Sequence, residues 1–114
     1  MSRRTPYNII IDQGASFSNT VQIKDADGDG FDLTGYTVRG QIRRNYNSGS
    51  AAATFVTDLF DAENGYFEFS LTPLQTTGLK AGCYVYDIEI ESGSGTVDRV
   101  LEGQATVTPE VTRD

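Results

Sequence analysis

The amino-acid sequence predicts an all-β domain in which seven short antiparallel strands pack as a two-sheet sandwich. Three observations predict it. Apolar residues recur at every second position in several segments, turn-forming clusters separate those segments at regular spacing, and the composition favours Thr, Val, Ile, Tyr and Phe alongside 12 glycines. At 114 residues the chain fits one domain, residues 1–114, that can bury most of its apolar surface, with short terminal arms at 1–6 and 109–114.

The first strand spans residues 7–12, where the β-branched run Ile9, Ile10 and Ile11 reads as buried on both faces before Gly14 ends it. The second spans 16–24. Phe17, Val21 and Ile23 share one parity, with Asn19 as a polar exception, and Ser16, Ser18, Thr20, Gln22 and Lys24 share the other. Residues 25–30 form a polar loop. The third strand, 36–43, sets Tyr36, Val38, Gly40 and Ile42 against an outward face that carries Arg39 and Arg43. A fourth strand at 51–59 is weakly periodic because it is rich in alanine. The fifth, 66–71, points Phe67, Phe69 and Leu71 inward.

Residues 73–82 break the alternation and suit one or two helical turns capped by glycine. In the sixth strand Tyr84, Tyr86, Ile88 and Ile90 alternate with Cys83, Val85, Asp87, Glu89 and Glu91. Ser92, Gly93, Ser94 and Gly95 close a hairpin onto the seventh strand, 96–107. There Val100 and Leu101 put an apolar residue on each face, so pattern alone does not fix the hairpin register. The order helical turn, then Ala81, Gly82, Cys83 and Tyr84, is similar to the tyrosine corner of immunoglobulin-like domains, with Tyr84 bonding back to the upstream backbone. The fold class is accordingly an immunoglobulin-like seven-strand antiparallel β-sandwich with a short helical turn before its sixth strand. Filling core space is the alternative role for Tyr84.

Composition excludes several functions. The chain has no histidine and one cysteine, which removes the usual general base, the commonest metal ligand, a thiolate zinc cage and an internal disulfide. Packing must hold the fold, as suits folding in a reducing cytoplasm. A net charge of −7 opposes attraction to phosphate backbones, so direct nucleic-acid binding is not expected. No apolar run approaches the roughly 18 residues of a membrane span, and neither signal peptide nor lipid anchor is read.

Three groups could carry chemistry. Asp25, Asp27 and Asp29, with Gly30, match the first half of a calcium loop. Tyr36 stands where an EF-hand has its bidentate glutamate, however, so a Ca²⁺ site competes with a solvated turn. Asp87, Glu89 and Glu91 share one strand face, where they suit salt bridges to Arg39, Arg43 and Arg44 better than acid/base work. Cys83 lacks a histidine partner and reads as a small, at least partly buried side chain. No catalytic residues and no cofactor are expected, and the chain reads as a non-enzyme.

Four segments together resemble a family of short structural proteins of tailed bacteriophages. They are residues 7–17 (Tyr-Asn-Ile-Ile-Ile-Asp-Gln-Gly-Ala-Ser-Phe), 32–43 (Asp-Leu-Thr-Gly-Tyr-Thr-Val-Arg-Gly-Gln-Ile-Arg), 79–90 (Leu-Lys-Ala-Gly-Cys-Tyr-Val-Tyr-Asp-Ile-Glu-Ile) and 99–112 (Arg-Val-Leu-Glu-Gly-Gln-Ala-Thr-Val-Thr-Pro-Glu-Val-Thr). Such proteins are small β-sandwich virion components, similar in style to the amino-terminal domain of phage baseplate upper proteins and often encoded by marine and cyanobacterial phages. The resemblance implies assembly into a baseplate, tail or head surface, and the expectation is a tail or baseplate component, homo-oligomeric or multi-copy in the particle and made in the host cytoplasm, that docks other virion proteins; no direct contact with nucleic acid or membrane is expected.

Capsid decoration on the phage head is the alternative of the same kind. A carbohydrate- or receptor-binding module, with Tyr46 and Tyr66 as stacking residues, is the alternative of another kind. The residues proposed for an interface are Arg3, Arg4, Tyr7, Tyr46 and Tyr66. An edge strand completed by a partner, the first or the last, would dispose of its unpaired backbone groups.

Overall fold

The computed structural model describes residues 5–112. Its strands are β1 (Thr5–Pro6), β2 (Ile9–Asp12), β3 (Phe17–Gln22), β4 (Thr37–Arg43), β5 (Ala53–Thr54), β6 (Val56–Asp61), β7 (Tyr66–Leu71), β8 (Gly82–Glu91) and β9 (Val97–Thr108), with a short α-helix, α1 (Pro73–Thr77), and a 3-10 turn at Ala62–Asn64. They form two sheets. The larger has the order β1-β9-β8-β4-β5, with β2 also on β9, and the smaller has the order β3-β7-β6.

All seven expected strands are present, two of them broken. The first is interrupted at Tyr7 and Asn8, where the Asn8 Oδ1 accepts from the Gln104 backbone N–H in place of a ladder bond (3.0 Å). The fourth divides at Phe55 because the chain there leaves the large sheet for the small one. Phe55 fills the space between the layers, its ring 5.1 Å from that of Phe69 and 6.0 Å from that of Tyr86. Gly40 makes room for it: a Cβ there would lie 2.4 Å from Ile88 Cδ1 and 3.1 Å from Phe55 Cδ2.

Two expectations about the first strand are corrected. It does not pair antiparallel, since β1 and β2 both run parallel to β9. Nor is it buried on both faces: Ile9 and Ile11 are buried, but Ile10 is 66% exposed. Among the described residues no element covers the outer face of the large sheet beside Ile10, so only the inward parity of the apolar run is buried there. Thr5 and Pro6, expected in an arm, already belong to the sheet.

The core lies between the inner faces, with Ile11, Leu33, Ile42, Phe67, Phe69, Ile88 and Ile90 fully buried. β8 and β9 pair with a shift between Ile88, opposite Leu101, and Glu89, opposite Arg99. Val100 is therefore an extra residue on β9, and this bulge lets Val100 and Leu101 both face inward.

Tyr84 makes the corner: its hydroxyl donates to the Lys80 carbonyl oxygen at 2.7 Å. The Arg44 guanidinium lies 4.8 Å from its ring centroid. α1 begins with a capping box, in which Thr72 Oγ1 accepts from Gln75 N and Gln75 Oε1 accepts from Thr72 N. Thr76 on this helix is fully buried. It accepts from Gly14 N at 3.0 Å and has the carbonyl oxygens of Ala15 and Pro73 within 2.9 and 3.1 Å.

Candidate functional site

The outer face of the large sheet gathers Arg39, Arg43, Asp87, Glu89 and Glu91 of the charged side chains that the sequence singled out. Ladder register puts Arg39 beside Glu89 and Arg99, and Gln41 beside Asp87 and Glu102. Arg39 Nε lies 3.1 Å from Glu89 Oε1, and Arg39 Nη1 2.7 Å from Glu91 Oε1. Hydrogen bonding to Glu89, joined by Glu91, holds the Arg39 guanidinium above its ordinary pKa. The predicted pairing of the acidic row with the basic strand is therefore present through Arg39. Arg43 instead donates to Ser48 O and Gln41 Oε1, and Arg44 packs over Tyr84.

Sequence reasoning missed Arg99, which lies 3.4 Å from Asp87 Oδ2 and 3.2 Å from Glu102 Oε1. The signal that could have found it was the bulge, because only the shifted register brings Arg99 level with Arg39. Burial raises the Asp87 carboxyl above its usual pKa, with Glu89 and Glu102 adding to the effect and Arg99 and Arg43 opposing it. These groups line an open groove of about 380 Å³ together with Tyr46. Such exposed pairs contribute about 0–1 kcal/mol each.

The same face turns apolar toward its other end. Val85 is opposite Gln104, and in the next row Cys83 is opposite Thr106, which is opposite Ile10. Cys83 is exposed there, not partly buried as expected, because its parity on β8 is outward.

Asp25, Asp27 and Asp29 lie in the loop between β3 and β4. Asp25 Oδ1 accepts from the backbone N–H groups of Asp27 (2.9 Å) and Asp29 (3.0 Å), so its carboxylate closes the loop on itself. Among the described residues no three histidine, cysteine or acidic side chains group to hold a metal.

The tyrosines proposed for an interface are dispersed. Tyr7 is 49% exposed beside β9, and its carbonyl accepts the Tyr86 hydroxyl. Burial raises that hydroxyl's pKa well above the ordinary tyrosine value. Tyr46 is 74% exposed at the groove. Tyr66 lies on the opposite sheet, its ring stacked on Phe60 with centroids 6.1 Å apart. Arg3 and Arg4 lie outside the described residues.

No protein-family model matches the sequence, and no curated protein matches it significantly. Solved structures are similar at low identity. CopC from Methylosinus trichosporium OB3b is 14% identical with a TM-score of 0.50, over 93% of this chain and 90% of that one. The Lin-41 filamin domain is 18% identical with a TM-score of 0.48, over 87% and 82% of the two chains. A chain in the structure of ICOS with ICOS-L and an anti ICOS-L VNAR domain is 12% identical with a TM-score of 0.49, over 92% of this chain and 55% of that one. The likeness to CopC concerns the fold alone. With its two sheets, strand order and tyrosine corner, the chain is an immunoglobulin-like β-sandwich.

Proposed function

We propose that this chain is a non-catalytic structural protein of a tailed-phage particle, a tail or baseplate component that docks on other virion proteins. The four resembling segments support the phage assignment. One observation supports docking: Ile10 stands 66% exposed at the middle of a paired strand, in one row with Thr106 and the exposed Cys83. A partner surface over that row would remove apolar area from water beside a charged rim, the usual anatomy of a protein interface.

Quantitative mass spectrometry of purified particles carrying the wild type or Ile10→Lys tests this. The wild type should be present as a small multiple of three or six copies, and I10K should be depleted from particles while melting like the wild type in isolation. Hundreds of copies would move the protein to the head as a decoration protein. Absence of the chain from particles would overturn the reading. Tyr46 at the groove favours a carbohydrate module as the second reading; glycan-array binding abolished by Tyr46→Ala would establish it.

A further inference from the structure

β3 forms one edge of the small sheet, and among the described residues β7 is its one ladder partner. β2, which precedes it in the chain, pairs with β9 in the other sheet and leaves that edge uncovered. An open cleft runs beside it, lined by Ile9, Ile10 and Asp12 from one layer and Phe17, Ser18 and Asn19 from the other. Alternate backbone N–H and C=O groups of β3 therefore face solvent.

Edge strands are ordinarily blunted by charge, proline, a bulge or shortness. β3 has none of these. Its six residues pair in unbroken register, from Phe17 opposite Leu71 to Gln22 opposite Tyr66, without proline. β6, at the other edge of the same sheet, carries Asp58 and Asp61 with a register shift between them. Of the strands with four or more residues, β3 alone has no ionisable side chain.

We propose that β3 is a self-pairing edge that joins two copies of this chain about a twofold axis, merging their three-stranded sheets into one. A twofold contact sets a strand against a second copy of itself, so a charge on the axis meets its own copy and any other is held beside the same strand's charges. With a net charge of −7, pairing through a charged strand adds like-charge repulsion, and β3 avoids it. One antiparallel register keeps inner and outer faces matched and centres on Asn19. It places Phe17 against Val21 on the inner face, extending both cores, and Ser18 against Thr20 on the outer face. Asn19, the polar exception on the inward parity, then meets its own copy on the axis, where an amide can both donate and accept.

The proposal is independent of the particle assignment, since it concerns the isolated chain. Sedimentation velocity under reducing conditions, up to about 500 µM, should show reversible dimerisation of the full chain. Asn19→Asp, which sets two carboxylates face to face, should weaken it about tenfold. Thr20→Lys, at an exposed outer-face position that leaves the core untouched, should also weaken it without lowering the melting temperature of the dilute protein. In a Cys83→Ser background, Asn19→Cys should give a disulfide-linked dimer on mild oxidation. A chain that stays monomeric throughout overturns the proposal, and so does a dimer that neither N19D nor T20K weakens.

Discussion

Replacing Gly103 with alanine should loosen the amino-terminal strand from the sheet, at a cost that can be divided into two parts. Gly103 is opposite Tyr86 in the β8–β9 ladder, and a Cβ on it would lie 2.3 Å from the Tyr7 carbonyl oxygen and 2.8 Å from the carbonyl carbon. Both are main-chain atoms, so relief requires the strand itself to move. That carbonyl accepts the hydroxyl of Tyr86, a side chain only 3% exposed. Overpacking costs about 1–3 kcal/mol, and a buried hydroxyl left without its acceptor costs about 1–3 kcal/mol more.

Tyr7 lies in the break between the short strands β1 and β2, which favours the lower end of each range and a total of about 2–3 kcal/mol. For a domain of this size each kcal/mol lowers the melting temperature by about 4 °C, so G103A should melt about 10 °C below the wild type. Tyr86→Phe alone should cost about 1 kcal/mol. In the Y86F background the hydrogen bond is already gone, so Gly103→Ala should cost about 1 kcal/mol less there than in the wild type. Urea denaturation of the four proteins measures this coupling. Strict additivity would refute the link between the glycine and the hydroxyl, and an unchanged melting temperature for G103A would refute the close approach itself.

Tyr84→Phe keeps the ring under Arg44 but removes the bond to Lys80, and should lower stability by about 1 kcal/mol in the same assay. Thr76→Val preserves shape while leaving the Gly14 N–H and Ala15 carbonyl without their partner, and should cost about 1–3 kcal/mol with local loss of amide-exchange protection at Gly14. Asp87→Asn tests a pH dependence. Because burial and neighbouring carboxylates raise the Asp87 pKa in the folded chain, its stabilising contribution is full below the unfolded value of about 3.9 and is lost as pH rises through the folded value. D87N should therefore melt above the wild type at pH 7 and converge with it near pH 3; a difference of equal size at both pH values would contradict this.

Alternation was readable in β4, β7 and β8 because each packs one face on the core and shows the other to water, so parity maps onto burial residue by residue. It misled at Ile9, Ile10 and Ile11, where burial depends on whether a layer covers the strand, a property of the fold and not of the segment. Phe55 broke the fourth strand because it serves both sheets, and a residue that crosses between layers belongs to neither period. The pairing of Arg39 with the acidic row followed from strand order. Arg99 did not, because a one-residue bulge carries no composition of its own. In the aspartate loop a spacing that suits a cation also suits a turn, and Asp25 Oδ1 accepts from two backbone N–H groups.

Where β2 lies decides which edge this sandwich leaves open, and several side chains hold it on β9. Ile9 and Ile11 stand opposite Ala105 and Val107 on the inner face. Thr108 Oγ1 donates to Asp12 Oδ1 at 2.8 Å, and Asn8 accepts from Gln104. Gln13 uses both ends of its amide, donating to Leu79 O at 2.8 Å and accepting from Glu110 N at 3.1 Å. At about 0.5–1.5 kcal/mol for each bond, moving β2 across to β3 would forfeit several kcal/mol before any new ladder formed. The parallel pairing also continues through Thr5 and Pro6, which lie on β9 opposite Leu101 and Glu102. The open edge of β3 thus follows from how the described residues pair, and a strand from a second copy can add to it without displacing any of them.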